Sequence, residues 1–164
     1  MKAITALVLV ASLFGGAAMA SSAVAQMLAS ADREALTDMT DVMRIKSGEV
    51  NCAHCDLRGA DLSHECVKGG DLTGANFDGV TARYMCMSIA NFTNATFRNA
   101  DLSGANLGHS NLTRADLTGA KLAITSIKGA NLATAKGLTQ SQIDRSCGDA
   151  ETKLPAGLKV HFCQ

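Results

Sequence analysis

Tryptophan is missing from this sequence, tyrosine occurs once and phenylalanine five times, so aromatics make up only 4 % of the chain. A conventional globular core leans on aromatic bulk. Its scarcity beside 47 % hydrophobic residues points to a core of small, repeated layers. Proline occurs once, at Pro155. Net charge is also lacking, since fifteen Lys and Arg offset fifteen Asp and Glu. That balance argues against nucleic acid as a partner, which calls for a basic patch, and against a strongly acidic decoy. Beyond the first residues there is no apolar run long enough to cross a bilayer.

The one sustained apolar run, Ile4 to Phe14, follows Lys2 and is too short to span a membrane. Two A-x-A sites come next, Ala18-Met19-Ala20 and Ala23-Val24-Ala25. This is the layout of a cleavable export signal. Cutting after Ala25 leaves Gln26 first, with Ala20 the second choice. The expectation is a signal peptide over 1–25 and no stable membrane insertion once it is removed.

What the sequence has in abundance is a period of five. Stepping by five from Leu57 meets Leu62, Val67, Leu72, Phe77, Ala82, Met87, Phe92, Phe97, Leu102, Leu107, Leu112, Leu117, Leu122, Ile127 and Leu132, all apolar. The residue two places before these markers is Ala in nine of the sixteen cases and another small residue in four. The residue just before them is usually Asp or Asn. Neither the helical period of 3.6 nor the strand period of 2 produces a strict five. A coil with one pentad per side does, and the pentapeptide-repeat family that this pattern resembles implies a square one. The marker fills the centre, the small residue sits beside it, and residues twenty apart stack in columns about 4.8 Å apart. One inner column then reads Leu57, Phe77, Phe97, Leu117, and another Leu72, Phe92, Leu112, Leu132. An outer column, Asp71, Asn91, Asn111, Asn131, is placed to form a side-chain ladder. The pattern is weakest from Thr81 to Ile89, where Ala82 is a small marker, Met85 a bulky neighbour, and Tyr84 and Ile89 face outward. A local bulge with an exposed apolar spot is expected there.

The stretch ADLSGANLGHSNLTRADLTGAKL, Ala100 to Leu122, resembles the pentapeptide-repeat family, whose consensus is A-[DN]-L-x-x. The resemblance implies an all-β solenoid, a right-handed quadrilateral β-helix with four pentads per coil. The flanks, CAHCDLRGADL and GLTQSQIDRSCGDAETKLPAGLKVHFC, resemble exported bacterial members with a Cys-x-x-Cys entry and a paired-Cys tail. A periplasmic or secreted location in the bacterial envelope follows from that likeness together with the signal.

A solenoid has open edges that need covering. Leu28, Ala35, Leu36, Met39, Val42 and Met43 recur at helical spacing, with Asp32, Arg33, Glu34, Asp38 and Asp41 opposite. This predicts an N-terminal capping helix and linker over 26–50. The repeat occupies 51–136. Thr139 and Gln142 form a T-x-x-Q capping box, with Leu138 and Ile143 as hydrophobic staple. A short helix is predicted from Gln140, within a C-terminal cap and tail over 137–164. A homodimer through a cap is compatible with this layout.

Six cysteines in an exported chain point to disulfides. Cys66 and Cys86 are twenty apart and share an outer column. Cys147 and Cys163 pin the tail to the helix, and Cys52 and Cys55 are a local pair. The competing arrangement is a metal or redox site built from Cys52, His54, Cys55, His64 and Cys66. No nucleophile–base pair, phosphate loop or second Cys-x-x-Cys occurs, and no cofactor is implied. The leading function is a non-enzymatic structural or interaction module with an unknown protein partner. Metal binding is the alternative, and DNA mimicry in defence of a topoisomerase, known in the family, is a further one.

Overall fold

The pentads turn their corners on a residue whose left-handed backbone closes a tight turn. The computed structural model describes residues 40–163, and places that residue two positions after Cys52 and after each marker from Leu57 to Ile127, while the last turn, after Leu132, closes without one. From His54 to Gly129, all sixteen corners have positive φ, as the third residue of a type II turn requires. Each turn closes when the amide of the next pentad's small residue donates to the marker carbonyl, as Ala60 N does to Leu57 O at 3.2 Å.

Four such pentads close a coil. Thirteen parallel bridges join residues twenty apart, from Asp56↔Asn76 to Asp116↔Lys136. Amides such as Leu57 N to Asn76 O (2.9 Å) and Asn76 N to Cys55 O (2.8 Å) tie each coil to the next. The product is a four-sided β-helix solenoid. Its register starts one pentad before Leu57: Cys52 is buried at a marker position and its amide donates to Asp71 O at 2.8 Å.

All the markers point into the centre and are buried. Phe77 and Phe97 stack with ring centroids 4.8 Å apart, and Phe92 meets Phe97 edge-on at 5.4 Å. These three rings replace the aromatic bulk that the rest of the sequence lacks. No bulge forms at Thr81–Ile89, contrary to expectation. The bridges Thr81↔Asp101 and Cys86↔Asn106 keep the twenty-residue register. The reason is an exchange of sizes: Ala82 yields the volume that Met85 takes up, and both are fully buried. The expected apolar spot is there, with Tyr84 57 % and Ile89 58 % exposed.

The described part of the N-terminal helix, α1, covers residues 40–46. Its inner face differs from the predicted one. Ile45 is buried and Val42 packs against the core, whereas Met43 is 64 % exposed. Asp41, expected in solvent, instead accepts the Asp56 amide at 3.1 Å. The signal peptide 1–25 and the remaining predicted helix positions, up to Met39, lie outside the described residues.

At the other end, α2 spans Gln140–Ile143 and has the predicted capping box, with Thr139 and Gln142 exchanging side-chain bonds to each other's amides. Ile143 is buried and Leu138 packs on the core. The chain then resumes the stack through Ser126↔Cys147 and Asn131↔Lys153, and Phe162 adds a last bridge to Gly148. Among the described residues no helix is long and apolar enough to cross a membrane.

Candidate functional site

The outer surface is built from three positions of each pentad, and the stack turns each position into a column. The expected ladder is present from Asp71 to Asn111, while Asn131 Nδ2 turns to Thr113 Oγ1 at 3.3 Å. Asn91 Nδ2 donates to Asp71 Oδ1 at 3.3 Å, and Asn111 Nδ2 donates to Asn91 Oδ1 at 3.4 Å. Its shorter rungs were not foreseen. Asn91 Nδ2 reaches Thr73 Oγ1 at 2.9 Å, and Asn111 Nδ2 reaches Thr93 Oγ1 at 3.0 Å. These partners are eighteen residues apart, so the signal to look for was a period of eighteen alongside twenty.

The same diagonal organises charge. Arg83 pairs with Asp101 at 2.8 Å and Arg98 with Asp116 at 2.7 Å. Asp101 faces outward yet is 8 % exposed, because Arg83 covers it. Burial pushes the Asp101 carboxyl up, but the Ser103 hydroxyl and amide and Arg83 outweigh it, and the net shift is downward. The Thr118 hydroxyl, helped by Arg98, holds Asp116 down at about 2 against the opposing effect of burial.

Corner side chains lean along the stack. A Cβ on Gly74 would come within 2.6 Å of His54 Nδ1, and one on Gly104 within 2.5 Å of Tyr84. His64 and Tyr84, at successive corners of one column, stack with centroids 5.6 Å apart and planes 13° from parallel. Ile124, two coils beyond Tyr84 in this column, is 64 % exposed. Tyr84, Ile89 and Ile124 hold φ of 55°, 62° and 52°. Left-handed backbone at a β-branched or bulky residue is uncommon and costs free energy. The position of Ile124 in the pentad, the same as that of Tyr84, was the overlooked sign of its exposure.

The cysteines divide into two groups. Cys52–Cys55 and Cys147–Cys163 are disulfides with Cα separations of 5.3 and 5.2 Å, within the usual range. Cys66 and Cys86 are free, against expectation, although they face each other across a parallel bridge. Directly stacked residues send their Cβ atoms out in parallel, which holds the sulfurs apart. The five-residue metal cluster does not assemble either. His54 and His64 sit exposed at separate corners, and the group that does converge is Asp41, Cys52 and Cys55, with ligand atoms within 4.8 Å. Two of those three ligands are tied up in the Cys52–Cys55 bond. Arg44 also points at this group, with Nη1 3.6 Å from Cys55 Sγ and 3.3 Å from Asp41 Oδ1. Its positive charge opposes a cation there.

Two surface clefts lie beside the caps. One, of about 260 Å³, lies between α2 and the last full coil and is lined by Ser103, Lys121, Gln142 and Arg145. The other, about 380 Å³, runs between α1 and the first coil past Met43, Lys46 and Asp61.

Comparison with known proteins places these features. The family model described as Pentapeptide repeats matches residues 51–88 and 90–132, in eight copies. No curated protein matches the chain. Among solved structures, it is similar to a pentapeptide repeat protein from the Arabidopsis thaliana thylakoid lumen. The identity is 32 % and the TM-score 0.39, covering 48 % of this chain and 54 % of that one. HetL, a pentapeptide repeat protein involved in heterocyst differentiation regulation from the cyanobacterium Nostoc sp., is 22 % identical. Its TM-score is 0.41, with 68 % of this chain and 51 % of that one covered. QnrB1, a plasmid-mediated fluoroquinolone resistance protein, is 14 % identical with TM-score 0.29, covering 68 % and 58 %. The chain spans about half the length of the first two.

Proposed function

Because the chain belongs to the pentapeptide-repeat family, we propose that it is an exported, non-enzymatic module whose right-handed stack presents a rigid face to a protein partner. The observation that carries this reading is the set Tyr84, Ile89 and Ile124, three large apolar side chains held out at left-handed corners. Exposed apolar side chains gathered on one part of a surface mark interaction sites, and Tyr84 and Ile124 share one corner column with Ile89 at the next corner. Left-handed backbone kept at bulky residues points to function, since glycine would hold the same corner without strain. The register supports the same reading: coils locked at a fixed spacing offer a partner a surface whose geometry does not change on binding. Mimicry of nucleic acid is disfavoured by charge, with seven acidic and eight basic residues between Asp56 and Lys136.

Export is tested by N-terminal sequencing of the protein from the envelope fraction, which is expected to begin at Gln26 or, as second choice, Ser21. Intact Met1 in the cytosol would remove this part of the proposal. The partner surface is tested by crosslinked capture in the envelope. The native protein should enrich a defined protein that a Tyr84→Ser, Ile89→Asn double variant no longer retains. Equal enrichment by both forms, or none by either, would sink the interaction role.

A further inference from the structure

Cys66 and Cys86 differ from the other four cysteines in state and in setting. The four are joined in pairs at the two ends of the stack, whereas these two remain thiols on its side. They occupy the same pentad position in consecutive coils and face each other across a parallel bridge. Their spacing is fixed by the backbone on both sides, through Val67 N to Cys86 O at 2.8 Å and Cys86 N to Glu65 O at 2.9 Å. Cys66 is exposed and Cys86 half-buried, so one sulfur is open to solvent and the other partly sheltered beside it. The two thiols are near enough to interact, and burial together with the Cys66 thiol pushes the Cys86 thiol up.

The spacing decides which chemistry fits. Neighbouring strands sit about 4.8 Å apart, and side chains directly opposite leave the ladder in parallel. A disulfide needs its Cβ atoms about 3.5–4.5 Å apart, so closing one here requires the ladder to pinch. Two metal–thiolate bonds of about 2.3 Å each, opened towards a line, span about 4.6 Å. A bridging ion therefore fits the ladder without deforming it. Thiolates select soft cations, and a site with two donors suits ions that accept two-coordination.

We propose that Cys66 and Cys86 form a two-thiolate site for a soft monovalent cation of the copper(I) class. Each ion bound displaces one proton from each thiol, so two protons pass to solvent and no oxidant or reductant takes part. The site is separate from the converging group Asp41, Cys52 and Cys55, whose sulfurs are already joined. It also stands independently of the interaction role.

The test is an anaerobic titration of the purified full chain with copper(I) buffered by a chromophoric chelator. One equivalent should bind, with a near-ultraviolet thiolate-to-copper absorption. Cys66→Ser and Cys86→Ser should each lose that equivalent at a chelator concentration the native protein withstands. The double variant Cys52→Ser, Cys55→Ser should keep it. A measurement on the unmutated protein guards against misfolded variants: N-ethylmaleimide should label Cys66 and Cys86, and copper(I) should block both. No uptake, uptake unchanged in both single variants, labelling unaffected by copper(I), or a Cys66–Cys86 disulfide in non-reducing peptide maps would each overturn the site.

Discussion

The two ends of the stack are closed by different side chains. At the N-terminal end Asp41 Oδ2 takes the Asp56 amide and Asn51 Oδ1 the Asp71 amide at 2.9 Å, while Arg44 Nη2 donates to Asn51 O at 3.3 Å. At the C-terminal end Asp149 Oδ1 takes the Gly129 amide at 2.8 Å, and side-chain donors cover carbonyls. Gln142 Nε2 reaches Ala120 O at 2.8 Å and Leu117 O at 3.1 Å, while Thr152 Oγ1 reaches Ile127 O at 3.0 Å. An unpaired polar group at a buried edge costs about 1–3 kcal/mol. Each end therefore has its own polar plug, and each plug is braced by a disulfide. Edge closure in a solenoid is thus a matter of matching donors to acceptors as well as covering apolar area.

The largest perturbation of this comparison removes what joins the ends. Phe97→Ala should cost about 3–5 kcal/mol, as other buried Phe truncations do, and both ends should unfold together in one denaturant transition. Two separate transitions would show that the ends are independent.

Next come the braces. The Cys147–Cys163 loop spans 16 residues of sequence and the Cys52–Cys55 loop only 3. Loop entropy assigns about 3 kcal/mol to the former and about 2 to the latter. Replacing Cys147 and Cys163 with serine should therefore lower the unfolding midpoint more than the same change at Cys52 and Cys55, and the reverse order would place the weaker plug at the N-terminal end.

Smaller still are the plugs themselves. Asp41→Ala should speed hydrogen exchange at the Asp56 amide, whereas Asp41→Asn should largely preserve its protection, since an acceptor oxygen remains. Gln142→Ala should leave that amide unchanged and promote self-association through the uncovered carbonyl edge, read by light scattering. Each alanine variant is expected to lose about 1–3 kcal/mol. Equal effects of both alanine variants at Asp56 would show that the ends are coupled through the stack.

The smallest effect is acid sensitivity along the side. Asp116 is held at about 2, below its ordinary 3.8. A carboxylate depressed in the folded state adds stability that is present above the unfolded value and lost as pH falls through the folded one. Stability should therefore decline between about pH 4 and pH 2, and Asp116→Asn should flatten that decline. An unchanged slope would assign it to other carboxylates, such as Asp101 and Asp71, which are also lowered.

The interior was legible in the sequence because the period of five sets which residues point inward and the family resemblance supplies four pentads per coil, and Phe77, Phe92 and Phe97 fell where the markers put them. The Thr139–Gln142 box was legible because it is a local signal. Three features were not. The Ala82–Met85 exchange conserves volume across a side of the coil, and a rule that scores one position at a time sees only two defects. The turn of α1 that buries Ile45 depends on where the helix meets the first coil, which its own periodicity does not specify. The Thr73 and Thr93 rungs depend on side-chain reach along the diagonal. For the cysteines, the register placed Cys66 over Cys86 with parallel Cβ atoms, which suit a disulfide poorly, and that direction decides what proximity permits.

The corner residues that lie over the glycines of the following coil make the stack resemble a shingled roof. His54 overlaps Gly74 and Tyr84 overlaps Gly104, always from the earlier coil onto the later one. Overlapping tiles have a direction, and they constrain how such a rod can lengthen. A duplicated block of twenty residues fits where its bulky corners land above bare ones, above a flat ring that tolerates stacking, like His64 and Tyr84, or above a corner that bonds them, like Asn94 and Arg114. Growth of the rod is therefore governed at its edges, by which corner is left uncovered, even where the interior would accept any further layer of leucine and alanine.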